Sequence, residues 1–168
     1  MWYVYDSREA DRPQWYVRCT VTNIKVEGNV LSRESRRVAG ILLILMPLVI
    51  YGGVSILSLL IGSPAYSQNA LRQDLWRAGH AHAAVLLVLA LVTLRYVDEA
   101  NLSSGLTKLV RHSIPAAAIL LPAAFFLSVT SPNATEPNAL IYLAYVGAVL
   151  LAVGLFVLGV GLVRRPRP

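Results

Sequence analysis

From residue 33 onward the chain alternates long apolar runs with short polar breaks, and the runs cover residues 38–61, 75–96, 113–130 and 139–163. Acidic and basic residues keep to their edges, with Arg77 and Arg95 flanking the middle of the second run. A bilayer core of about 30 Å needs roughly 20 apolar residues per helix, and each run approaches or exceeds that length. The pattern predicts an all-α membrane protein, an up-down bundle of four transmembrane helices occupying residues 33–163. Residues 164–168 form a basic tail after the fourth span.

Prolines and glycines punctuate the spans. Pro47 removes a backbone donor from the first, leaving the Leu43 carbonyl without its usual partner. Pro115 is expected in the opening turn of the third, where proline is tolerated, and Pro122 falls mid-span. Leu102, Leu106, Leu109 and Val110 recur at helical spacing between the second and third spans, beside Lys108 and Arg111. That spacing reads as a short amphipathic segment lying on one leaflet. In the fourth span Ala144, Ala148 and Ala152 repeat every four residues, while Gly147, Gly154 and Gly161 repeat every seven. Small residues let membrane helices approach closely. They serve packing within the bundle or, on the sharper reading, a homo-oligomer or a larger membrane complex.

Residues 1–32 follow a different pattern. The segment from Trp15 to Thr22 alternates apolar and polar positions, the period of a half-buried strand. A lone strand is not stable, so the segment pairs elsewhere, forms a disordered tail, or belongs to an over-long gene start. Cys19 is the one cysteine, and it has no internal partner for a disulfide.

Composition agrees with lipid as the solvent: 14% of the 168 residues are charged, against about 25% in soluble domains. The net charge of +6 suggests nucleic acid until the positions are read. Arg33, Arg36, Arg37, Arg95, Lys108, Arg111, Arg164, Arg165 and Arg167 fall on one side of the spans, and only Arg72 and Arg77 on the other. Such asymmetry is the positive-inside pattern. It places both termini in the cytoplasm of a bacterial cell, with the protein in the cytoplasmic membrane, and leaves no role for nucleic acid.

Candidate chemistry is sparse. His80 and His82 interrupt the second span in the run Arg77-Ala78-Gly79-His80-Ala81-His82-Ala83-Ala84. Residues two apart on a helix point about 200° apart, so the pair does not bind one metal from one face. His82 shares a face with Leu86, Leu89 and Thr93 and is expected to point inward, with His80 nearer to lipid. His112 starts the third span at the opposite membrane face, roughly 20 to 30 Å from the pair.

Tyr51, Ser128, Tyr142 and Tyr145 lie at the same level as His82 in the outer half. Together these groups predict an outward-facing pocket of hydroxyls and imidazole, with Gly79, Ala81, Ala83 and Ala84 leaving room for a flat molecule such as haem or a quinone. The competing reading is an aromatic belt at the interface with a hydrated histidine. No paired carboxylates, Ser/His/Asp set, phosphate loop or metal-spaced cysteines occur within the spans. A non-enzymatic accessory or structural role is therefore expected. Redox binding through His82 or His80, and passive transport of a small apolar molecule, are the alternatives.

Three stretches, Glu34-Ser35-Arg36-Arg37-Val38-Ala39-Gly40-Ile41, the run from Leu71 to His82, and Pro137-Asn138-Ala139-Leu140-Ile141-Tyr142-Leu143, resemble an uncharacterised family of small four-helix membrane proteins of actinobacteria. The resemblance covers roughly residues 33–163 and implies the four-helix fold without an activity. The Gly-His-Ala-His run is also similar to histidine-bearing helices of haem-containing membrane oxidases, over too short a stretch to carry a haem ligand across.

Overall fold

Each helix begins where the local chemistry favours a start. In the computed structural model, which describes residues 31–164, the Ser32 side chain accepts the Ser35 N–H at 3.2 Å and opens α1, Arg33–Gly62. Glu34 adds a negative charge to its first turn, against the positive end of the helix dipole. Pro64 follows one residue after α1 and opens the single turn α2, Pro64–Ser67. Asn69 caps α3, Ala70–Val97, by accepting the Arg72 N–H at 3.1 Å. Next comes α4, Ser104–Ser128. After a loop, Asn138 caps a 3-10 turn, Ala139–Tyr142, that leads into α5, Leu143–Val163. No strand occurs among the described residues. The expectations for the N-terminal segment, Cys19, Arg165 and Arg167 lie outside them.

The four long helices hold 30, 28, 25 and 21 residues, or about 45, 42, 37 and 31 Å at 1.5 Å per residue. Each is long and apolar enough to cross a membrane, an architecture that fits a multi-pass membrane protein. Inside such a core every backbone polar group needs an internal partner, which a helix supplies by itself.

Successive helices run up and down. Hydrogen bonds tie the start of α1 to the end of α3 (Ser32 N–H to Asp98) and the segment after α3 to the end of α5 (Asn101 N–H to the Gly161 carbonyl). At the other end, the start of α3 reaches the residue after α4 (Arg72 to the Val129 carbonyl). The up-down order matches the sequence pattern, but the helices form an open row, α1–α3–α4–α5, rather than a closed ring. α3 and α4 are the inner members, and α1 and α5 do not touch.

Two expectations change. Residues 104–112 are not a separate segment on a leaflet; they are the opening turns of α4, with Val110 buried and Leu102 packed against Gly161. Pro115 consequently stands in the helix interior, where it leaves the Arg111 carbonyl without its usual donor.

The glycine heptad of α5 is used within the row. A Cβ at Gly147 would lie 3.2 Å from the Leu121 backbone N, one at Gly154 would lie 2.7 Å from Ile114 Cγ1, and one at Gly161 would lie 2.6 Å from Leu102 Cδ2. Helices α4 and α5 are therefore held at backbone contact, as small residues permit when lipid offers no hydrophobic drive between helices. Ala144 packs against the core, while Ala148 and Ala152 stay exposed.

The core lies in the half of the row nearer the described termini. Leu42 of α1, Leu94 and Val97 of α3, Val110 and Ile114 of α4 and Leu158 of α5 are all buried there.

Candidate functional site

Buried positions on α3 form one stripe through Gly79, Leu86, Ala90, Leu94 and Val97. His80 and His82 flank that stripe, one on each side. Helix α1 covers the His80 flank, and a Cβ at Gly53 of α1 would stand 2.8 Å from both Cε1 and Nε2 of the imidazole. Gly53 thus makes the space that the ring fills. On the other flank His82 is exposed: its ring rests 5.3 Å from that of Phe125, and its Nδ1 lies 2.7 Å from the Ala78 carbonyl. A carbonyl only accepts, so Nδ1 carries the proton and donates.

This reverses the expected orientation of the pair. Helical spacing identified two flanks but not the neighbour that leans over each. It is His80 that lines a cleft.

The cleft measures about 220 Å³ and opens sideways between α1 and α4, with α3 as its floor. Leu45, Leu48, Val49 and Gly52 form one wall, Ala118, Ile119, Pro122 and Phe126 the other, and His80, Ala83 and Leu87 lie between. His80 is the one ionisable residue among them, and no hydrogen bond to it is formed among the described residues. Pro122 has no N–H to give to the carbonyl of Ala118, so the cleft also borders one carbonyl released from the helix ladder.

The other expected site residues do not gather here. Tyr51, Tyr142 and Tyr145 are 71%, 67% and 68% exposed, and the last two face each other at 6.1 Å. Ser128 is buried, but its hydroxyl donates to the Phe125 carbonyl at 3.1 Å. Ser55 and Ser58 donate to carbonyls one turn back, those of Tyr51 and Val54. Among the described residues these hydroxyls do not converge on one pocket, because the serines are satisfied on their own helices and the three tyrosines are exposed. His112 is exposed on α4 at the far end from the pair.

Two buried arginines are the polar features that sequence reasoning missed. At the terminal end, Arg111 is 7% exposed by side chain and joins three elements: its Nε donates to Ser35 Oγ at 3.1 Å, one terminal nitrogen pairs with Glu34, and the other donates to Asp98 at 2.9 Å. Burial opposes the charge on Asp98. The hydrogen bonds from the Ser32 N–H, Ser35 and Arg111 outweigh it, and the carboxyl sits below its ordinary range. The available signal was Glu34 and Asp98 placed at the basic end of the spans, with Arg111 just before the third apolar run.

At the loop end, Arg72 is 8% exposed and its Nε donates to the Val129 carbonyl at 3.2 Å. Its guanidinium lies 4.6 Å from the Trp76 ring centre and 5.9 Å from that of Tyr66. Burial pushes the Tyr66 hydroxyl above its ordinary value, against the pull of Arg77 and Arg72, so it stays a neutral phenol. Trp76 continues the cap inward: its Nε1 donates to the Phe126 carbonyl at 3.3 Å.

No family model, curated protein or solved structure matches the chain.

Proposed function

We propose that this chain is a non-enzymatic accessory protein of a bacterial cytoplasmic membrane, with both termini cytoplasmic, that takes a small apolar molecule from the bilayer into the cleft beside His80. The observation that carries this reading is the cleft itself: it opens sideways, its walls are apolar, and the ring of its single ionisable lining residue forms no hydrogen bond among the described residues. Apolar walls with one or a few polar groups are the common form of small-ligand sites. The basic residues at the terminal end support the sidedness, and membership of the small actinobacterial family remains part of the same proposal.

Size selects among the alternatives. Sites for drug-sized ligands measure about 300–1,000 Å³, so a cleft of about 220 Å³ takes one ring and not a porphyrin. The described residues give passive transport little support. The cleft shares no lining residue with the cavity at the loop end, around Asn69 and Asn133, and buried Leu, Val and Ile fill the other half of the row. A second copy of the chain would meet Ala148 and Ala152 on α5, since Gly147 and Gly154 are already covered by α4.

The test is extraction of protein purified in mild detergent, followed by mass spectrometry of the apolar fraction. An apolar small molecule should accompany the wild type and be depleted in Gly52→Leu, because a side chain there meets nothing within 4 Å and grows into the cleft. Equal content in both proteins would remove the cleft as the binding place, and a Soret band abolished by His80→Ala would restore haem. Labelling of cysteines at Ser67 and Ser104 from opposite membrane faces tests the topology; labelling from the same face would overturn it.

A further inference from the structure

The chemistry of the cleft narrows what it holds, given the reading above that it takes an apolar molecule from the bilayer. A neutral imidazole offers one donor and one acceptor. Left unmatched in an apolar setting, either is destabilising. His82 escapes this by donating to Ala78, but His80 does not. The ligand that fits therefore brings its own oxygen to the imidazole.

Shape adds a second restriction. Gly52, Ala83 and Ala118 are small, and the ring-bearing Pro122 and Phe126 belong to the α4 wall. A volume of about 220 Å³ among such residues suits a single ring. The rim supplies a third restriction, because Leu48 and Ile119 are 63% and 49% exposed where the cleft meets its surroundings. A ligand tail would leave between these two residues and continue along apolar helix surface.

A flat ring with ring oxygens and a hydrocarbon tail is the chemistry of a membrane quinone. We propose that the cleft seats the headgroup of a quinone or its quinol. The His80 N–H donates to a ring carbonyl in the oxidised form. In the reduced form a ring hydroxyl donates to the unprotonated imidazole nitrogen, and the released Ala118 carbonyl is a second acceptor, on the α4 wall. The proposal is of binding, with no electron transfer assigned to the chain.

Trp76 supplies the readout, since its ring lies 6.1 Å from Phe126 in the cleft wall. Trp2→Phe and Trp15→Phe in the full chain leave Trp76 as the only tryptophan, and this protein in phosphatidylcholine vesicles is titrated with duroquinone. Saturable quenching is expected, with affinity falling about tenfold in His80→Leu, the equivalent of one lost hydrogen bond. Durene, which has the same methylated ring without oxygens, should compete at least about tenfold more weakly for the same reason.

If durene competes as well as duroquinone and His80→Leu binds equally, the quinone assignment fails while the apolar cleft stands. If quenching rises linearly without saturation, and equally in Gly52→Leu, both readings fail. His80→Gln, which keeps a donor, should recover part of the loss. Failure of His80→Gln to exceed His80→Leu would overturn the role given to the N–H.

Discussion

The two ends of the helical row each bury one arginine, and they neutralise it by different means. Arg111 meets two carboxylates and a serine hydroxyl, drawn from α1 and the end of α3. Arg72 meets backbone carbonyls and aromatic faces, and pairs with no carboxylate among the described residues. The surrounding packing differs in the same sense. Around Arg111 the core is filled by Leu94, Val97, Val110 and Ile114, whereas the half nearer Arg72 opens into the His80 cleft. A charge cluster clamps helices together at fixed distances, while an aromatic cap closes the end of a pair and leaves its neighbours free to part. Helix α1, at the edge of the row, has only 6% of its most apolar stretch buried, against 56% for the inner α4.

The comparison predicts unequal responses to mutation. Arg111→Leu should be the most damaging, lowering stability in detergent by about 3 kcal/mol, because it leaves Asp98 without its partner near the core. Unfolding by increasing SDS fraction, followed by circular dichroism, measures this; a loss smaller than that in Arg72→Ala would break the comparison. Gly154→Ala should follow at about 2 kcal/mol, since its Cβ meets Ile114 in the filled part of the row. The matching change in the open half, Gly53→Ala, meets only the end of the His80 ring, which can turn into the cleft. It should lose less than about 1 kcal/mol in the same assay.

Arg72→Ala comes next, at about 1.5 kcal/mol, from the unpaired Val129 carbonyl and the lost ring contacts. Its mark is a shift of Trp76 emission that Arg111→Leu does not produce. Acid should then separate the two ends. The carboxyl of Asp98 is lowered from its ordinary 3.8, so its contribution is complete above that value and disappears as the pH falls through the folded-state value. Thermal unfolding below about pH 4 should therefore show a pH-dependent component that Asp98→Asn removes and Arg72→Ala retains. Salt should act least. Glu34 is 60% exposed, and screening of its pair with Arg111 should lower stability by less than about 0.5 kcal/mol. Arg72→Ala should keep this sensitivity in 1 M sodium chloride, while Arg111→Leu should lose it.

The sequence made some of these features readable and others not. The caps at Ser32, Asn69 and Asn138 are local, because each side chain bonds a backbone N–H two or three residues on. The glycine heptad of α5 could be read as a close-contact face, although the residues that meet it belong to α4 and the segment before it. The ionic cluster could not be read in the same way: Arg111 lies 76 and 77 positions from Ser35 and Glu34. No pattern along one helix names such partners. The histidine pair illustrates the limit within a single helix, since spacing separated the two rings while their surroundings came from other elements.

What the sequence determined by itself is the number of long helices, their approximate spans and the end at which positive charge collects. Those properties are local, because a run of apolar residues of sufficient length carries its own preference for lipid and satisfies its own backbone. Only the tertiary structure decided that the helices stand in an open row, that Arg111 ties three elements together, and that His80 rather than His82 lines the cleft. Lipid and a neighbouring helix are both apolar, so the side chains on a helix need not distinguish the flank facing one from the flank facing the other. Which flank is covered depends on how closely the backbones approach, and that is set by pairs such as Gly53 with His80 and Gly154 with Ile114.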